Sequence, residues 1–379
     1  MKPLGSSAAF VVLFGLTSLG KAEDSAYQDL LRRLPDSTNV VVAADAPGLR
    51  QALGVKPGTA VLSSDLNGLP IGCGKFVLGA QVDMSQHKHV WSIAMAQHAG
   101  KISIQDIAKT ENEQVDEVSG YKVVPCMRNG YFVELASDLL AAGSPANRQM
   151  LKRWLTYQKN NQTAALSPYL LQAVNPAEPA LMVMAVDLTD SMDPAAIHRG
   201  LNGSKVMART KNADYDEVAK TLVRLKGVTL TIEPGSPLTG NLTVDFDTDT
   251  APVRRFAKSL LLEILQHVGV YVQDFEDWKA RLKDRSIGIS GTLSYNALRK
   301  FGSLIMTPVP APQAARMASY ASMDPAERSA AASKRYFKSL TQILDDLKAD
   351  KSKTAKALAG WYDRYADQIT KLPILDVDP

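Results

Sequence analysis

The sequence predicts an α+β protein: two related mixed α/β units with antiparallel hairpins, followed by a C-terminal helical hairpin. Three observations point there. Short β-branched runs of strand length alternate with segments whose apolar residues recur every three or four positions. A strand that ends in Asp and runs into a helix occurs twice, closing at Asp45 and again at Asp187. Beyond a proline-rich break, the C-terminal stretch carries helical periodicity alone.

The chain begins with Met1, Lys2 and Pro3, followed by the apolar stretch Ala8-Ala-Phe-Val-Val-Leu-Phe-Gly-Leu16 and by Gly20-Lys-Ala22. A basic start, an apolar centre shorter than the ~20 residues of a spanning helix, and small residues before the cut define a cleavable secretory signal peptide. Residues 1–22 are expected to be removed, leaving Glu23-Asp-Ser25 as the mature start. No cysteine stands at the site, so neither a lipoprotein anchor nor a transmembrane anchor after cleavage is expected. The predicted location is outside the cytoplasm, periplasmic or extracellular.

Residues 39–45, Asn-Val-Val-Val-Ala-Ala-Asp, read as a buried strand, and Asp45 with Pro47 opens a short helix. Residues 75–83 and 89–97 are two apolar runs joined by polar Met84-Ser-Gln-His-Lys88, a hairpin pattern. Ser119-Gly120 and Asn129-Gly130 punctuate strands at 121–127 and 131–135. A helix beginning near Ser144-Pro145 and carrying Met150, Leu151, Trp154 and Leu155 completes a first unit, 23–162.

The plan then repeats in a second unit, 163–306. Residues 180–187 form a strand ending in Asp187, and Asp193-Pro194 opens a helix. Asp214 with Glu217 three residues on forms a capping box for another helix, which Gly227 is expected to stop. Residues 228–232 and 242–246 alternate apolar and polar around a Pro-Gly-Ser-Pro turn, a half-exposed hairpin. Val253, Phe256, Leu260, Leu261, Ile264, Leu265 and Val268 recur at helical spacing. After the linker 307–324, residues 325–379 carry two helical patterns. Tyr336, Phe337, Trp361 and Tyr365 are expected to form one apolar seam, docked on the body or offered to an envelope partner or a second copy.

Three segments carry a resemblance: Pro145-Ala-Asn-Arg-Gln-Met-Leu-Lys-Arg-Trp-Leu155, Lys334-Arg-Tyr-Phe-Lys-Ser-Leu-Thr-Gln-Ile-Leu-Asp-Asp-Leu347 and Trp361-Tyr-Asp-Arg-Tyr-Ala-Asp-Gln-Ile-Thr-Lys-Leu-Pro-Ile-Leu-Asp-Val-Asp378. They look like an uncharacterised family of exported proteins of planctomycete type. The resemblance spans most of the mature chain and implies export and the same domain layout. It brings no activity, cofactor or catalytic residue.

Composition narrows the function further. Hydrophobic residues make up 45% and charged residues 22%, ordinary globular values. The formal net charge is +4, of which Lys2 and Lys21 supply two, so the mature surface is nearly neutral and nucleic acid is not an expected partner. Cys73 and Cys126 are too few for a disulfide scaffold. They could form one bridge, worth ~4 kcal/mol in the chain-entropy model, or stand as two buried thiols.

Asp245, Asp247 and Asp249 alternate in the manner of an opening calcium loop. Thr250 stands where the loop needs glycine and Phe256 where it needs a bidentate Glu, so a solvated strand end explains them as well. His87 and His89 flank a turn without a third ligand at zinc spacing, and His98, His198 and His267 are isolated. Gly72-Cys-Gly74 precedes a strand and reads as a turn, not a dinucleotide loop. No nucleophile elbow, zinc helix or phosphate loop is present, and no cofactor is expected. The sequence therefore favours an exported non-catalytic binding or structural protein. The alternative is a secreted hydrolase whose active site is assembled from distant residues.

Overall fold

In a computed structural model the chain is described over residues 27–52, 72–84, 88–126, 129–175, 180–303, 324–348 and 355–370. The expected signal peptide and most of the proline-rich linker lie outside these residues. The twelve strands are β1 (Val40–Asp45), β2 (Cys73–Asp83), β3 (Lys88–His98), β4 (Asp116–Val118), β5 (Tyr121–Cys126), β6 (Gly130–Ala136), β7 (Leu139–Ser144), β8 (Met182–Asp187), β9 (Leu225–Glu233), β10 (Thr239–Phe246), β11 (Lys279–Lys283) and β12 (Ser286–Thr292). They form one sheet in the order β11-β12-β10-β9-β8-β1-β2-β3-β7-β6-β5-β4, with every neighbouring pair antiparallel.

The helices are α1 (residues 27–31), α2 (Ala46–Ala52), α3 (Ile104–Glu111), α4 (Arg148–Asn160), α5 (Pro168–Ala173), α6 (Pro194–Asn202), α7 (Lys205–Arg209), α8 (Tyr215–Val223), α9 (Ala257–His267), α10 (Tyr295–Ser303), α11 (Pro325–Lys348) and α12 (Ala355–Thr370). Their starts follow from short polar residues that accept from the first free amides. Asn147 Oδ1 accepts from Gln149 N and Met150 N to open α4, and Asp193 and Asp214 do the same for α6 and α8.

The two predicted units are halves of this sheet, joined by β1 and β8. Each half runs the same way: a first strand, helical connection, a hairpin beside it, and later strands added beyond the hairpin's second strand. β1 reads as a continuous Val/Ala run because it is buried on both faces. Val42 and Ala44 belong to the larger core with Phe76, Met182, Leu230 and Ile289, covered by α2 and by α6 through α10. Ile104 and Ile107 of α3 extend that layer over Val124 and Phe132. Val41 and Ala43 face the opposite way, with Val77, Met95, Val133 and Ala185, under α1, α4 and α5.

Two expectations are corrected here. Gly227 does not stop α8, which ends at Val223; it lies inside β9. Glu217 does not return the capping-box bond to Asp214 but accepts from Lys220 Nζ at 2.7 Å.

The C-terminal helices dock on the body. Trp361 is 0% exposed and Tyr365 is buried beside it, their ring centroids 6.0 Å apart. Trp361 Nε1 donates to Tyr271 O at 3.2 Å. The Arg364 guanidinium donates to the carbonyls of Val268 and Gly269, which follow the end of α9, so a cation caps the negative end of that helix. The expected four-ring seam is corrected to two rings: Tyr336 is half-buried and Phe337 is 68% exposed. Adjacent residues on a helix point about 100° apart, and here Tyr336 is turned partly toward the body while Phe337 is turned to solvent. No helix among the described residues is long and apolar enough to cross a membrane.

Candidate functional site

A cavity of about 470 Å³ opens between α4 and the sheet. Its floor is set by register. Ile93 of β3 stands opposite Gly143 of β7, and Gly143 stands opposite Tyr131 of β6, so the three share one row of one face. The middle position has no side chain, and a Cβ built there meets nothing within 4 Å. Gly143 therefore leaves a notch in an otherwise filled surface, and Trp91 of β3 stands two residues from Ile93 on the same side.

Met150, Leu151, Trp154 and Tyr157 of α4 form the roof, and the turn Pro35-Asp36-Ser37 closes one end. A polar clamp holds this roof to α1. Trp154 Nε1 donates to Arg33 O at 2.8 Å, Arg33 Nη1 donates to Gln158 Oε1 at 2.8 Å, and Asn161 Nδ2 donates to Arg32 O at 2.9 Å. Asp29 receives both guanidinium groups. Burial raises the Asp29 carboxyl, but the hydrogen bonds from Arg33 and Arg32 outweigh it and hold the group below the usual carboxylate range.

The lining's chemistry follows from these bonds. Trp91 Nε1 is satisfied by Gln81 Oε1 at 2.8 Å, Trp154 Nε1 by Arg33, and the Tyr157 hydroxyl accepts from Asn161 Nδ2 at 2.9 Å. Trp91, Trp154 and Tyr157 thus spend their polar atoms on the protein and turn ring surface to the cavity. Burial raises the Tyr157 phenol, with the charge of Asp36 adding to it, so it stays neutral. Asp36 and Arg153, both exposed, are the charges among the lining residues. No histidine or cysteine is among the residues that line the cavity.

The expected site residues lie elsewhere and do not converge. Asp245 accepts from the Tyr169 hydroxyl at 3.2 Å, and burial raises its carboxyl above the usual range. Asp247 pairs with Arg224 at 2.6 Å, and Asp249 accepts from Ala251 N and pairs with Arg254. Among the described residues no group of three His, Cys, Asp or Glu could hold a metal ion. Of the two alternatives for the cysteines, one bridge or two buried thiols, the second holds: Cys73 and Cys126 are buried free thiols on β2 and β5. Strands β3, β7 and β6 lie between them, a separation of ~19 Å at the spacing of adjacent strands, where a bridge needs less than ~7 Å.

Cys73 stands opposite His98 in the β2–β3 ladder, a thiol beside an imidazole. Its chemistry is wrong for a nucleophile with its base. Burial pushes the thiol up to about 12, and its Sγ donates to Lys75 O at 3.4 Å. Burial also lowers His98. His89 is exposed, and His87 lies outside the described residues.

The cavity residues Trp91, Tyr131 and Gly143 carried no functional signal in the sequence. The one available hint was a lone glycine at the end of Leu139-Leu-Ala-Ala-Gly143, since an unfilled strand position marks a close approach or a gap.

Fold and site together define an α+β protein with an apolar cavity under one helix. No family model matches the chain, and no curated protein matches it. Among solved structures it is similar to TP0453 in crystal forms I, III and IV, with TM-scores of 0.44, 0.42 and 0.39 and identities of 9%, 8% and 7%. These cover 73%, 73% and 74% of this chain and 97%, 96% and 98% of that chain. A likeness of that size brings no function to this chain.

Proposed function

We propose that this is an exported, non-catalytic binding protein whose ligand is a small apolar molecule held under α4. The observation that carries the reading is the notch at Gly143, roofed by aromatic residues whose polar atoms are already bonded to the protein. A volume of about 470 Å³ falls within the ~300–1,000 Å³ of small-molecule sites. Arg153 at the mouth makes no ion pair among the described residues, which favours a ligand that ends in an anionic group. Export rests on the charged, apolar and small-residue pattern of residues 1–22 and on the family resemblance. N-terminal sequencing of the mature protein should begin at Glu23. Exposed Phe337, Leu344 and Tyr362 support a second role for the C-terminal helices in association with an envelope partner or another copy.

The test of the cavity is a titration with 1-anilinonaphthalene-8-sulfonate, an apolar fluorophore with an anionic group. Wild-type protein should bind it saturably at one site. Gly143→Leu places a side chain into space that nothing fills, and it should weaken binding by ~10-fold or more without lowering the melting temperature. Equal affinity in the two proteins would remove the cavity from the proposal. Turnover of ester or peptide substrates by the wild type would favour the hydrolase.

A further inference from the structure

β11 ends the sheet. Its inner side pairs with β12 through Lys279–Ser290, Arg281–Gly288 and Lys283–Ser286, and among the described residues no strand lies on its outer side. Native edges are usually covered, shortened, bulged or armed with charge, lysine above all. This one relies on charge: all five of its residues are exposed and three are cations, which bars a like edge and leaves room for a segment of opposite charge. Lys279, Arg281 and Lys283 alternate along it and so share one face, about 6.8 Å apart. Ala280 and Leu282 share the other, with Leu282 41% exposed. None of the three cations makes an ion pair among the described residues.

We infer that β11 is a receiving edge for an extended segment of a partner protein in which acidic residues alternate with apolar ones. An added strand takes its affinity from backbone hydrogen bonds and its selectivity from the side chains it sets opposite. Acids would stand across from Lys279, Arg281 and Lys283, and apolar residues across from Ala280 and Leu282. The same charges exclude a second copy of this edge. An antiparallel pairing centred on Arg281 sets Arg281 against itself and Lys279 against Lys283, like charge on like charge at every cationic position.

The experiment uses the full chain and two labelled heptapeptides, one alternating glutamate and valine, the other lysine and valine, followed by fluorescence anisotropy. The glutamate peptide should bind and the lysine peptide should not, and binding should weaken steeply between ~50 and ~500 mM salt. The triple variant K279E/R281E/K283E, at positions exposed enough to leave the melting temperature unchanged, should reverse the preference. Amides of β11 should gain protection from hydrogen exchange in the complex. Binding without that protection, equal binding to the triple variant, no binding at millimolar peptide, or preference for a single-stranded oligonucleotide would each overturn the inference.

Discussion

The ring of Tyr169 on α5 packs directly on the backbone of Gly227 in β9, where a Cβ would collide with the ring. The Tyr169 hydroxyl then meets Thr229 Oγ1 at 3.0 Å and donates to Asp245 Oδ2 at 3.2 Å, so a helix from the first half of the chain is fastened to two strands of the second. Gly227→Ala must displace the ring and both bonds. We expect a loss of about 1–3 kcal/mol, read as a lower midpoint in urea with an unchanged slope. An unchanged midpoint would mean that Tyr169 is free to move aside.

Alkaline pH should destabilise the protein through Cys73. Burial raises its thiol from 9.0 to about 12, with Arg50 opposing and Asp45 adding to the rise. The unfolded chain gives up this proton near 9 and the native chain near 12. Stability from this group is thus complete below 9 and is lost as pH rises toward 12. At about pH 10.5 the wild type should have lost about 2 kcal/mol relative to pH 8 that Cys73→Ala does not lose. Parallel pH profiles for the two proteins would contradict the assignment.

Two free thiols are expected in the unfolded protein, and electrophoretic mobility should not change with reductant. In the native protein Cys73 should resist alkylation at pH 8, because burial keeps it protonated. A mobility shift on reduction would require β2 and β5 to sit far closer than the sheet order allows.

Removal of residues 325–379 should lower the melting temperature and expose apolar surface over Tyr271 and α9. The point variants divide the effect. Trp361→Ala removes a fully buried ring and should cost about 3–5 kcal/mol. Arg364→Gln leaves the carbonyls of Val268 and Gly269 without their cation and should cost about 1–3 kcal/mol. A body that kept its melting temperature without these helices would make them a separate docking module.

Much of the fold was legible. β9 and β10 alternate because one face is partly wet, β2 and β3 are long apolar runs between turn residues although both faces are buried, and α4, α9 and α12 carry helical stripes. The strands that went unread have other causes. β7, Leu139-Leu-Ala-Ala-Gly-Ser144, is buried with small residues on both sides and shows no period. β11, Lys279-Ala-Arg-Leu-Lys283, reads as solvated charge because it is an edge. Gly227 looked like a helix stop because its reason for being glycine, the Tyr169 ring, comes from a helix far earlier in the chain. The cavity was illegible for the same reason. Ile93, Gly143 and Tyr131 become neighbours only because β7 returns to lie beside β3, a matter of sheet order that local pattern does not encode.

The seam between the halves has a practical reading. Five residue pairs, from Val40–Val186 to Ala44–Met182, with Asp45 N donating to Leu181 O and Asp187 N to Asn39 O at the two ends, join β1 to β8. Broken between α5 and β8, the chain would yield two polypeptides, each ending its sheet on a Val/Ala/Met edge whose one charge is the aspartate at the strand end. Made separately, each would tend to self-associate and precipitate. Made together, they should find one another through that edge and through Tyr169, which suits the molecule to fragment complementation, with recovery of fluorophore binding as the signal.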